Sequence, residues 1–85
     1  MNIIIVHDSY DKIKQIDNIK KDNITFNIID LTTFKGRKEG RSIMSYWGAR
    51  LNPFILVKDN ETPVTAFYSE DKKNPIEELI KYLNA

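Results

Sequence analysis

The chain sets short apolar runs between polar breaks, and the spacing within each run predicts an element. Residues 2–7, Asn2-Ile3-Ile4-Ile5-Val6-His7, form a continuous β-branched run. A run without polar alternation predicts a strand covered on both faces, as in a parallel sheet. Asp8-Ser9-Tyr10-Asp11 breaks it, and Ser9 or Asp11 is placed to cap a helix whose apolar residues are Ile13, Ile16 and Ile19. Lys12, Lys14, Lys20 and Lys21 would cover the outside of that helix, and Asp22-Asn23 would end it. Residues 24–31 predict a second strand, so the first third of the chain reads as a βαβ unit, which is right-handed almost without exception.

Thr32 and Thr33 offer a turn or a cap, and the polar stretch Lys35-Gly36-Arg37-Lys38-Glu39-Gly40 predicts a loop or a frayed first turn. A helix is expected from about Glu39 to Trp47. Ile43 and Trp47 would share a face, Met44 and Tyr46 would widen it, and Gly48 would serve as the C-cap. Residues 54–58 predict a third strand, 59–63 a hairpin turn and 64–68 a fourth strand. Pro63 is confined to that strand's start because it cannot donate to the ladder. Asn74-Pro75-Ile76-Glu77 is a helix start with an Asn cap, Pro at the first helical position and Glu at the third. Ile76, Leu79, Ile80 and Leu83 then line one face. The expected order is β-α-β-α-β-β-α, an α/β sandwich around a four-stranded mixed sheet in which two strands run parallel and two form a hairpin.

Eighty-five residues, 41% of them apolar, accommodate a single domain spanning 1–85. A net charge of +1 with mixed signs argues against a dedicated nucleic-acid binder. The chain has no cysteine, which suits a reducing compartment, and its N-terminal apolar run is far shorter than a membrane span. A soluble, cytoplasmic protein is expected. The abundance of Ile, Lys and Asn suggests an AT-rich genome, bacterial or phage.

One motif links the pattern to a family. Gly48-Ala49-Arg50-Leu51-Asn52-Pro53 leads directly into the strand at Phe54. A helix ending in Gly, then a small residue, a basic residue, two variable residues and a strand-opening Pro resembles the second half of the glutaredoxins and small thioredoxins. With the order of elements, the resemblance covers essentially the whole chain. It implies a thioredoxin-like fold, a cis Asn52-Pro53 bond, and a backbone at Asn52 that is offered to a bound peptide or glutathione. The chain departs from the family at its chemistry. Where the family carries Cys-x-x-Cys or Cys-x-x-Ser, this chain has His7-Asp8-Ser9-Tyr10-Asp11-Lys12, with Ser9 and Lys12 at the motif's spacing. A serine does not replace a thiolate in thiol–disulfide exchange. Ser69-Glu70-Asp71 stands where glutaredoxins carry a small pair beside glutathione, and two acids disfavour an anionic tripeptide.

The expected function is therefore a redox-inactive binding module that engages a protein or extended peptide. Its groove would lie between Ser9, Tyr10, Asp11 and Lys12 on one side and Leu51, Asn52 and Pro53 on the other, with Asn52 pairing with a partner's strand. The alternatives are a degenerate glutaredoxin-like protein binding a small thiol or peptide, and a weak nucleic-acid accessory protein. For the last, or for an anion, the contacts would be Lys35, Arg37, Lys38 and Arg41. A purely structural role through self-association also stays open. No catalytic residue, metal ligand or cofactor is expected, and a nucleic-acid partner is not. His7 with Asp8, Asp11 and Asp30 suggests an acid–base or metal cluster only in outline. The simpler reading is a strand-end His beside helix-capping acids. Ser9 with His7 makes a poorer nucleophile–base pair, since no third group orients the His.

Overall fold

The computed structural model describes residues 1–19 and 21–85; Lys20, expected on the outside of the first helix, lies outside the described residues. The elements are β1 (Asn2–His7), two 3₁₀ turns (Tyr10–Lys12 and Lys14–Asn18), β2 (Thr25–Asp30), α1 (Phe34–Tyr46), β3 (Phe54–Asp59), β4 (Thr62–Phe67) and α2 (Pro75–Asn84). The strands form one four-stranded mixed sheet in the order β2-β1-β3-β4. β1 runs parallel to β2 with Asn2 opposite Thr25 and His7 opposite Asp30. β3 is antiparallel to both β1 and β4.

The continuous runs at β1 and β3 are buried on both faces, as their lack of alternation requires. Ile3, Ile5, Ile55 and Val57 meet Ile13 and the α2 residues Ile76, Leu79 and Leu83 on one side of the sheet. Val6, Ile29, Phe54 and Leu56 meet Met44 of α1 on the other. The domain thus has three layers, with α1 against one face and α2 and the 3₁₀ turns against the opposite one. None of the helices formed by the described residues is long and apolar enough to cross a membrane.

Three expectations are corrected. The segment after β1 is not an α-helix. Ile13, Ile16 and Ile19 are spaced by three throughout, which matches three residues per 3₁₀ turn rather than 3.6. Their amides donate to the carbonyls of Tyr10, Ile13 and Ile16 at 2.9–3.0 Å, each bond closing over three residues. Ser9 precedes the first turn but its hydroxyl makes no capping bond.

The stretch expected as a loop at 35–40 is the first half of α1, which begins at Phe34 and not near Glu39. Thr33 is its N-cap: Thr33 Oγ1 accepts from the Gly36 amide at 2.9 Å. The same hydroxyl donates to the Asp30 carbonyl at 2.9 Å, tying the helix start to the end of β2. Gly36, Gly40 and Met44 recur every four residues and face the sheet, all three buried. The glycines therefore set the distance of closest approach and do not mark a flexible loop. Tyr46, expected on that inner face, is 83% exposed.

β4 begins at Thr62, so Pro63 is its second residue. An irregularity between Val57 and Lys58 shifts the register there and sets Lys58 opposite Pro63. A proline on an edge strand beside a bulge leaves no interior ladder bond unmade. The C-terminal helix forms as its start signal predicts, with Asn74 Oδ1 accepting from the Ile76 amide at 2.9 Å.

Candidate functional site

The strand directions bring four chain segments to one end of the sheet. β1 and β2 end there, at His7 and Asp30; β3 begins there, with Phe54 opposite Val6; β4 ends there, with Phe67 opposite Ile55. The loop of residues 8–12 therefore lies beside the loop of residues 48–53, and the segment after β4 closes the far side. Gly48 takes a φ of +70°, the left-handed conformation that turns the chain out of α1. The Asn52–Pro53 peptide bond is cis.

Asn52 joins the two loops. Its Oδ1 accepts from the Asp8 amide and from Lys12 Nζ, both at 3.3 Å. Lys12 Nζ also stands 2.8 Å from Asp8 Oδ1, so Asp8, Lys12 and Asn52 form one latch. The Lys12 ammonium, bonded to the Asp8 carboxyl, holds that group below its ordinary value of 3.8, with Asn52 adding a smaller contribution in the same direction. The sign follows: a depressed folded-state pKa stabilises the folded form above the unfolded pKa, and this gain is lost as pH falls through the lowered value. The group is solvent-exposed, so the gain is small. An NMR titration of the Asp8 carboxyl should give a midpoint below 3.8. Lys12→Gln should return it toward the ordinary value, and an unchanged midpoint in that variant would detach Lys12 from the latch.

The backbone on the other side of the latch is open. Among the described residues, no backbone hydrogen bond uses the amide or carbonyl of Arg50, Leu51 or Asn52. Leu51 is 50% exposed. Gly48, Ala49, Arg50 and Leu51 form one wall of a cleft of about 460 Å³, and Tyr68, Ser69, Glu70 and Asp71 form the other. Tyr68 fixes the width of this cleft. Its hydroxyl donates to the Trp47 carbonyl at 2.8 Å, and its ring lies 5.2 Å from that of Phe54. Arg50 and the acids Glu70 and Asp71 thus share one recess.

The expected groove residues divide accordingly. Lys12 and Asn52 are brought together. Ser9 is half-buried in the same loop. The Tyr10 hydroxyl donates to Asp17 in the second 3₁₀ turn, and this bond raises the Tyr10 pKa above its ordinary value. Neither Tyr10 nor Asp11 makes a hydrogen bond or ion pair with residues 51–53 among the described contacts. Pro53 is buried at the head of β3. Arg50 and the Tyr68–Asp71 wall were not among the expected groove residues. Arg50 was visible as the motif's basic position and Glu70–Asp71 as a departure, but only the β3–β4 register sets one against the other.

His7 is 5% exposed, and its Nδ1 is buried without a hydrogen-bond partner among the described residues. It lies opposite Asp30 but makes no bond to it. The Asp30 carboxylate instead accepts from the hydroxyl and amide of Thr32 at 2.7 and 2.9 Å, and chiefly the hydroxyl holds its pKa below the ordinary value. Among the described residues, no group of three or more His, Asp or Glu side chains is placed to hold a metal ion. Lys35, Arg37, Lys38 and Arg41 lie together on α1, away from the latch contacts. No family model, no curated protein and no solved structure matches this chain.

Proposed function

We propose that this chain is a redox-inactive, thioredoxin- or glutaredoxin-like binding module that takes an extended peptide segment along residues 50–52. The observation that carries this reading is the set of unpartnered backbone groups at Arg50, Leu51 and Asn52, the first two of them on the wall of a cleft. Backbone amides and carbonyls are strong hydrogen-bonding groups, and those left open here can be completed by a partner's backbone. The order of elements and the place of Pro53 at the head of β3 support the thioredoxin-like reading. The chain has no thiol with which to perform that family's exchange chemistry.

The side chains around the open backbone define the segment that fits. Leu51 offers an apolar contact, and Glu70 and Asp71 favour a basic residue across the cleft, while Arg50 favours an acid or a carboxylate beside it. The same two acids weigh against a small anionic thiol such as glutathione. Selection of random displayed peptides on the immobilised protein tests the reading. Enriched sequences should pair an apolar residue with a basic one. They should lose at least about tenfold in affinity, or about 1.4 kcal/mol, on Leu51→Asp. Leu51 is half exposed, so this change leaves the core intact. Peptides that bind Leu51→Asp as well as the parent protein would move the contact off this cleft.

A further inference from the structure

Helix α1 presents a second surface, independent of the cleft. Its inner face is Gly36, Gly40 and Met44, with Ile43 half-buried, and the rest of its 13 residues point outward. Four of the outward residues are cations, Lys35, Arg37, Lys38 and Arg41, against one acid, Glu39. None of the ion pairs among the described residues uses any of the four. Arg37 has only a long bond of 3.5 Å from Nε to the Leu31 carbonyl. Four cations against one acid give this helix an excess of positive charge in a chain whose net charge is only +1.

Two aromatic rings frame these charges. Phe34, at the first turn, is 85% exposed and Tyr46, at the last, 83%. At 1.5 Å per residue they stand about 18 Å apart along the axis. Exposed rings of this size are out of place on a helix that has no need of them for its core. Phe34, Lys38, Ser42 and their neighbours Lys35, Glu39 and Ile43 line a shallow groove of about 640 Å³. The groove has an apolar end at Phe34, a basic rim and a hydroxyl at Ser42.

We infer that the outer face of α1 binds single-stranded nucleic acid. Phosphates are met by Lys35, Lys38 and Arg41, and unstacked bases lie on the Phe34 and Tyr46 rings. Cations interleaved with exposed aromatics are the means by which single strands are held without sequence preference. An anionic membrane surface is favoured less, because its apolar contact needs a continuous stripe, and here hydroxyls and charges separate the two rings. The net charge of the chain conceals this surface, since all of the acids but Glu39 lie off this helix.

The test is fluorescence anisotropy of the full chain with a labelled oligothymidylate of about 15 nucleotides, titrated across about 20–200 mM salt. Binding at the lowest salt should weaken with a log–log slope between about −2 and −3, as three to four phosphate contacts require. Phe34→Ala should lose at least about fivefold in affinity, the lower end for one base stacked on a ring. Lys38→Gln with Arg41→Gln should reduce the slope by about 1.4. All three side chains are exposed, so circular dichroism should show each variant folded. Absence of binding at the lowest salt would overturn the inference. So would indifference to Phe34→Ala, or equal affinity for polyglutamate or for phosphatidylserine vesicles.

Discussion

Phe54→Ala is expected to cost about 3–5 kcal/mol, the largest loss of any single truncation in this domain. Phe54 is the largest of the fully buried side chains. It packs with Val6, Ile29, Met44 and Leu56 beneath α1, and its ring meets that of Tyr68. In a chain of this size about 1 kcal/mol moves the melting temperature by about 4–8 °C, so the midpoint should fall by more than about 12 °C. The loss reaches the cleft as well. Phe54 follows Pro53 directly and supports Tyr68, which sets the cleft's far wall. Thermal denaturation followed by circular dichroism checks the prediction; a drop of only a few degrees would mean that Phe54 is not the keystone of the α1 side of the core.

Gly36→Ala should cost about 2–3 kcal/mol, against the usual direction for glycine to alanine within a helix. A Cβ added at Gly36 would stand 1.9 Å from the Asp30 carbonyl oxygen, and backbone has no rotamer with which to yield. Helix α1 would have to move off the sheet, breaking the Thr33 cap that holds its start. Gly40→Ala should be milder. Its nearest obstacles are side-chain methyls rather than backbone, Leu31 Cδ2 at 2.6 Å, which can swing aside, and Val6 Cγ1 at 2.9 Å. Gly48→Ala meets nothing within 4 Å and should cost only the left-handed conformation, about 1–2 kcal/mol. Urea denaturation of the three variants should rank them Gly36 first. A stabilised Gly36→Ala would show that the helix sits farther from β2 than the structure places it.

These glycines show where sequence reading succeeds and where it stops. The runs at β1 and β3 announced strands covered on both sides, because nothing in them alternates. Asn74-Pro75 announced α2, because capping chemistry is local. Gly36 and Gly40 read as a loop, because the tertiary contact that makes glycine the fitting residue lies on β2 and outside the helix's own pattern. The spacing Gly36, Gly40, Met44 behind the Thr33 cap was the available signal. The isoleucines at 13, 16 and 19 suit an amphipathic α-helix in pattern, but their period of three matches the 3₁₀ geometry they adopt.

The site divides in the same way. Asn52 and Lys12 were legible from the resemblance of the 48–53 motif and the loop after β1. The Asp8–Lys12–Asn52 latch, Tyr10 turned toward Asp17 and the Tyr68–Asp71 wall follow from strand register, which no local pattern states. The four cations of α1 were legible as a basic stretch. That Lys38 and Arg41 share an exposed face of the helix with Phe34 was not.

The groove reading is tested most directly by amide hydrogen exchange at Arg50, Leu51 and Asn52, measured by NMR on the free protein and with a display-selected peptide. Unpartnered amides open to water should exchange quickly in the free protein and slow at least about tenfold when a peptide strand pairs with them, while the amides of α1 keep their rates. Protection of residues 50–52 already in the free protein, or rates there that a bound peptide leaves unchanged, would contradict peptide pairing along this segment.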